Sequence, residues 1–223
     1  MDINRLKNIP DLLKMPVVGI VRNMSMADFA RVLPVYREAG LKLMEVTMNT
    51  PEATKMIRYA VEQFSGDLII GAGTVCTIQD LHIAREAGAR FIVTPIVDEQ
   101  VITEGAGQGL PVIAGAFTPT EVFRAWQLGA AVVKLFPAGS AGLQYMAEIR
   151  GPLGHIPMMP TGGIDQRNIT GYFQAGAVAV GVGGRLFDQA MVREQNWNGL
   201  MEHFAGFARA ALPYATKIPL TFT

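Results

Sequence analysis

The sequence predicts an α/β fold, a (β/α)8 TIM barrel, and three observations predict it. Eight short runs rich in Val, Ile and Leu alternate with stretches of helical period, the pattern of parallel strands covered on both faces by helices. Several helical stretches end in a glycine step directly before the next apolar run: Ala39-Gly40, Ala87-Gly88, Gln108-Gly109, Leu128-Gly129 and Ala175-Gly176. Glycine there supplies the left-handed cap that a tight helix-to-strand turn requires. The chain has 223 residues, half of them apolar, enough for one large core but hardly two. Eight strand-plus-helix units in this length favour a closed barrel, with an open doubly wound sheet as the alternative. A single domain over residues 1–223 is expected, with a short N-terminal helix and an extended tail after Pro213.

The strands are expected near Pro16–Val21, Leu41–Thr47, Leu68–Gly71, Phe91–Thr94, Pro111–Gly115, Val132–Leu135, Met158–Thr161 and Val178–Gly181. Helix starts carry their own signals: Ser25 before Met26–Ala39, Thr50-Pro51 before the second helix, Thr118-Pro119 before the fifth and Asp165 before the seventh. Short side-chain oxygens cap free amides, and proline suits the first helical turn. The last helix, around Trp197–Ala211, spaces Leu200, Phe204, Phe207 and Ala211 as a stripe facing the core.

Charge and cysteine content narrow the function. Nineteen basic residues balance nineteen acidic ones, so there is no electrostatic footprint for nucleic acid or an anionic membrane. Met1 to Pro10 carries no signal-peptide pattern, and no apolar run is long enough for a membrane span. One cysteine, Cys76, excludes an intrachain disulfide framework, fits a reducing compartment and is read as structural. The three histidines do not cluster with acidic residues in sequence, so no metal is expected. These features point to a cytoplasmic enzyme acting on a small molecule, with no cofactor.

In a barrel of this kind the reacting groups lie at the carboxyl ends of the strands. Lys134 interrupts the run Val132-Val133-Lys134-Leu135, and alternation turns it to the opposite face from Val133 and Leu135, the barrel interior. Burial favours the neutral amine, which can attack a carbonyl. Glu45 lies in Leu43-Met44-Glu45-Val46-Thr47, and a carboxylate beside that lysine suits proton transfer. The alternative is a buried ion pair with Lys134 and nothing more. Gly162-Gly163 after the seventh strand and Gly183-Gly184 after the eighth place backbone amides where barrels hold phosphate or carboxylate groups, at expected helix starts. Arg185 can add a bidentate charge to that anion, and Arg22, ending the first strand, can clamp a substrate carboxylate.

Taken in order, Glu45-Val46-Thr47, Gly71-Ala72-Gly73-Thr74-Val75, Lys134-Leu135-Phe136-Pro137 and Pro160-Thr161-Gly162-Gly163-Ile164 resemble the motifs of the bacterial 2-keto-3-deoxy-6-phosphogluconate and 4-hydroxy-2-oxoglutarate aldolases and their 2-keto-3-deoxy-6-phosphogalactonate relatives. The resemblance runs from roughly Leu12 to Ala210. It implies a barrel of the class I aldolase type: a metal-free homotrimer that cleaves a 2-keto-3-deoxy-6-phospho sugar acid, or 4-hydroxy-2-oxoglutarate, to pyruvate and an aldehyde. By the same resemblance Lys134 forms the Schiff base and Glu45 moves protons. Thr74 holds the pyruvate carboxylate, Pro95 and Phe136 wall the pocket, and the paired glycines hold the distal phosphate. Three positions depart from any one branch. Asn49 stands where phosphogluconate enzymes carry an arginine, which with Arg22 resembles the phosphogalactonate branch. Thr161 resembles the phosphogluconate branch, and Arg185 replaces a phosphate-binding serine. A phosphosugar isomerase or epimerase using Glu45 without a covalent lysine, and a silent sugar-acid binding protein, are the competing readings.

Overall fold

The computed structural model describes residues 3–6, 9 and 11–215. Eight parallel strands, β1 (Val17–Val21), β2 (Leu43–Thr47), β3 (Ile69–Gly73), β4 (Ile92–Val93), β5 (Val112–Ala116), β6 (Val132–Leu135), β7 (Met158–Pro160) and β8 (Val180–Val182), form one sheet in the order β7-β6-β5-β4-β3-β2-β1-β8. A parallel bridge between Thr161 and Gly181 joins the two ends. That bridge decides for the barrel over the open sheet, which would leave both end strands unpaired. All eight expected strands are present, with no end shifted by more than two residues.

Helices separate the strands: α2 (Met26–Glu38), α3 (Ala53–Gln63), α4 (Ile78–Glu86), α5 (Glu99–Gly107), α6 (Pro119–Gln127), α7 (Ala138–Leu153) and α8 (Ile169–Gln174). A short α1 (Ile3–Leu6) precedes β1, and α9 (Gln189–Arg193) and α10 (Trp197–Ala211) follow β8. Ser25 caps α2 through the Asp28 amide, and Thr118 with Glu121 makes a capping box on α6. Gly40, Gly88, Gly109, Gly129 and Gly176 all take the left-handed conformation, as the helix-to-strand turns demand.

Two expected helix starts need correction. Thr50 does not cap α3; its buried hydroxyl accepts from the Asn23 amide at 3.1 Å and meets the Thr47 hydroxyl at 2.9 Å, while Glu52, with φ of 60°, stands before the helix. Asp165 does not cap α8 either. Its carboxylate accepts from the Arg167 and Asn168 amides and makes a turn of its own, so α8 starts at Ile169 behind Asn168. Of the expected C-terminal tail, Leu212–Tyr214 forms a 3-10 turn, and residues 216–223 lie outside the described residues.

Alternation along the strands sorts the core into two layers. Val17, Val21, Met44, Val46, Val133 and Leu135 join the helix faces in the outer cluster. Val18, Leu43, Val132, Met159 and Ala179 join an inner cluster with Leu6, Ile9 and Leu12, so the N-terminal segment packs into the same end of the barrel as the strand starts. Arg5 anchors it by donating to the carbonyls of Trp126 and Ala130 at 2.7 and 3.3 Å, its guanidinium 3.9 Å from the Trp126 ring centroid. Apolar side chains therefore fill the strand-start end, leaving polar inward positions to the other end.

Candidate active site

Among the described residues six polar or charged ones are buried: Glu45, Thr47, Thr50, Thr94, Lys134 and Thr161. All belong to strands or to the turns just beyond their carboxyl ends, as the parallel register carries the inward positions from the apolar end to the polar one. Glycine makes room for two of them, Glu45 and Thr161. A Cβ at Gly73 would lie 2.7 Å from the Glu45 carboxyl carbon, and one at Gly181 would lie 2.4 Å from the Thr161 hydroxyl. At Gly115 an added Cβ would run into the Pro95 carbonyl carbon at 2.3 Å, so the segment leaving β4 crosses directly over β5.

A cavity of about 490 Å³ opens at this end, a size that suits a small metabolite. Its wall includes Arg22, Lys134, Phe136, Thr161, Gly162, Gly163, Gly183, Gly184 and Arg185, so nine of the thirteen expected site residues meet in one place. Lys134 is 4% exposed, with its Nζ 5.0 Å from the Phe136 ring centroid, a distance at which the ring face attracts a cation.

Glu45 lies behind the wall, 1% exposed, and its Oε2 has no hydrogen-bond partner among the described residues. No ion pair joins it to Lys134, so the bare ion-pair alternative is not what the side chains form. Burial pushes the Glu45 carboxyl above its ordinary pKa, with Lys134 and Arg22 pulling it back. Burial holds the Lys134 amine below its ordinary value; Glu45 opposes this and Arg22 reinforces it. Lys134 and Glu45 thus influence each other and both feel Arg22, although no hydrogen bond or ion pair links the lysine and the carboxylate.

The remaining expected residues lie off the cavity wall. Thr74 follows β3 with φ of 55°, an uncommon conformation for a β-branched residue. Pro95 is half-buried at the end of β4, and Asn49 is exposed in the turn after β2. The glycine steps also differ from expectation, because neither sits at a helix start: α8 begins at Ile169 and α9 at Gln189. Gly162 and Gly163 instead take positive φ and let the loop approach Gly139 at the head of α7, where an added Cβ on Gly163 would lie 2.8 Å from the Gly139 Cα.

Sequence reasoning missed Gln189 and Arg193, which α9 brings to the wall, and Asp28 from α2. Their one local signal is the spacing of 189 and 193 four apart behind the cap Asp188, whose Oδ1 accepts from the Ala190 and Met191 amides. Cys76 is free and half-buried; burial and the nearby Asp80 and Asp98 push its thiol up, away from reactivity. Among the described residues no group of three His, Cys, Asp or Glu is placed to hold a metal ion, and no helix is long and apolar enough to cross a membrane.

The family description "Aldolase: KDPG and KHG aldolase" matches residues 9–202. The chain belongs to this family. It is accordingly an aldolase, a carbon–carbon lyase. Similar curated proteins include the 2-dehydro-3-deoxy-6-phosphogalactonate aldolase of Escherichia coli, 29% identical over 175 residues, covering 78% of this chain and 85% of that one. The 2-dehydro-3-deoxy-phosphogluconate aldolase of Treponema pallidum is 37% identical over 158 residues, with coverage of 70% and 73%. Among solved structures, one described as native KDPGal aligns with a TM-score of 0.83 at 27% identity over 90% of this chain and 96% of its own. Matches at comparable identity to both sugar-acid branches parallel the mixed signals at Asn49, Arg22 and Thr161.

Proposed function

We propose that this aldolase works through a Schiff base on Lys134, cleaving a 2-keto-3-deoxy-6-phospho sugar acid, or 4-hydroxy-2-oxoglutarate, to pyruvate and an aldehyde. The observation that carries the reading is a buried lysine held below its ordinary pKa in a cavity wall, coupled to a buried carboxyl with an unpartnered oxygen. A neutral amine attacks the C2 carbonyl, and the carbinolamine loses water as Glu45 supplies and recovers the proton. The protonated imine draws the electrons of the C3–C4 bond as the C4 hydroxyl gives up its proton. The aldehyde leaves, the enamine takes a proton at C3, and water releases pyruvate and restores the amine.

In this reading Arg22, a cation on the wall with no hydrogen-bonded or ion-paired partner among the described residues, takes the pyruvate carboxylate together with Thr74. Phe136 and Pro95 exclude water beside the imine, Thr161 and Asn49 face the sugar-acid hydroxyls, and Gly162, Gly163, Gly183, Gly184 and Arg185 receive the distal group. Incubation with pyruvate and sodium borohydride tests it. A pyruvate-sized mass on the peptide bearing Lys134, absent without pyruvate and from Lys134→Met, is expected; no adduct on folded protein sinks the Schiff base.

We also propose a homotrimer in the cytoplasm. Ile96, Phe117, Phe123 and Leu143 leave 38–52% of their surfaces exposed on consecutive barrel units, and Phe117 stacks on Tyr145 at 5.1 Å. Exposed apolar side chains on neighbouring units suit a subunit contact, and a monomeric mass in sedimentation would refute it.

A further inference from the structure

Three arginines, not two, line the cavity. Besides Arg22 and Arg185, Arg193 lies on the wall at the end of α9. The Asp188 cap fixes where α9 starts, and residues four apart share a helix face, so Gln189 and Arg193 reach the cavity together, with the buried Val192 beside them on its wall. Neither the Arg185 nor the Arg193 side chain has a hydrogen bond or ion pair with any described residue. The single carboxylate on the wall, Asp28, is engaged with the Ser25 hydroxyl at 2.7 Å. The backbone amides of Gly163, Gly184 and Arg185 have no acceptor among the described residues either, and all three residues line the same cavity. This region therefore presents two unpaired cations, a side-chain amide and unused backbone donors.

We infer that Arg193 is a specificity-determining residue that, with Arg185, reads a doubly charged distal group, so that the enzyme takes a phosphate monoester in preference to an uncharged or singly charged end. The inference rests on the reading that pyruvate is held at Lys134, which assigns the other half of the cavity to the aldehyde. A carboxylate has two oxygens and is satisfied bidentately by one guanidinium. A phosphate monoester has three terminal oxygens and close to two charges near neutral pH, enough to engage two guanidiniums from different directions together with backbone amides. A second guanidinium carried on a separate helix is redundant for a carboxylate and matched to a phosphate. The glycines of the β8 loop and Arg193 divide the work: the loop gives shape, and the arginine gives charge selection.

The test compares pyruvate condensation with glyceraldehyde 3-phosphate and with glyceraldehyde in wild type, Arg193→Met and Arg193→Lys. The ratio of kcat/KM for the phosphorylated over the unphosphorylated aldehyde is expected to fall at least tenfold in Arg193→Met, mostly through KM of the phosphorylated aldehyde. Arg193→Lys should restore most of it. Arg193 is exposed at the end of a short helix, so both variants are expected to fold, and a melting curve confirms it. An unchanged ratio in Arg193→Met, or a wild type with no preference for the phosphorylated aldehyde, overturns the inference. Borohydride trapping of pyruvate on wild-type Lys134 separates the two readings: an adduct with an unchanged ratio defeats the role of Arg193 alone, whereas no adduct defeats both.

Discussion

Gly73 sits against the buried carboxyl so closely that adding one methyl group there tests how the site is positioned. The Cβ of Gly73→Ala would lie 2.7 Å from the carboxyl carbon and Oε1 of Glu45 and 3.1 Å from Oε2, where ordinary contact begins at 3.4 Å. Glu45 is 1% exposed and cannot swing to solvent, so the carboxyl must retreat by about 0.7 Å into packed surroundings. Overpacking of this kind costs about 1–3 kcal/mol, and each kcal/mol lowers Tm by about 2–4 °C in a chain of this size. A displacement approaching 1 Å at a proton-transfer group costs about 100-fold in rate. Thermal melts and a pyruvate-release assay read both effects. Gly107→Ala is the control: an added Cβ there meets nothing within 4 Å, so activity should hold and stability should rise slightly. In a Glu45→Ala background the methyl group has room, and Gly73→Ala should then cost neither stability nor further activity. Wild-type kcat in Gly73→Ala, or an equal stability cost in both backgrounds, would refute the positioning.

Two further outcomes follow from the same geometry. The folded-state pKa of Glu45 lies above its ordinary 4.5, so its contribution to stability is full below that value and is lost as pH rises through the folded pKa. Glu45→Gln should therefore melt above wild type near neutrality, with the advantage vanishing on acidification while activity falls by about two to four orders of magnitude; a pH-independent difference in melting would contradict this. At the opposite end of the barrel, Arg5→Ala removes, among its interactions, the hydrogen bonds to the Trp126 and Ala130 carbonyls and the contact with the Trp126 ring. It should cost about 1–3 kcal/mol in a melt while leaving kcat unchanged, and a fall in kcat would mean that the N-terminal segment couples to the site.

What the sequence revealed and what it hid divide along a physical line. Strands, glycine caps and the Ser25 and Thr118 caps depend on residues a few positions apart, so their signals are local. Lys134 and Glu45 were legible because a charged residue inside an apolar strand run has few reasons to be there. Thr50 misled because its hydroxyl serves the Asn23 amide, a neighbour only once β1 and β2 pair. Asp165 misled because its oxygens satisfied nearby amides in a turn before the helix began. Arg193 was invisible for a different reason. A cation ending a short helix usually faces solvent and favours the helix dipole, and only closure of the barrel brings α9 onto the cavity wall.

In the proposed mechanism, the charges of Lys134, Glu45 and Arg22 let one lysine and one carboxyl serve both steps of imine chemistry. Attack needs a neutral amine, dehydration needs a proton donor, and simple attraction between Lys134 and Glu45 opposes both by favouring the ion pair. Burial is the largest influence on each group and acts the other way, favouring the neutral amine and the protonated carboxyl. Arg22 divides them: its charge presses Lys134 further toward the neutral nucleophile while drawing Glu45 toward the ionised base. A pyruvate carboxylate bound at Arg22, as proposed, would neutralise that influence. With that influence offset, the balance at Glu45 moves toward the protonated carboxyl, the acid that expels water from the carbinolamine. In the proposed reading, the substrate's own charge thus moves Glu45 from base toward acid.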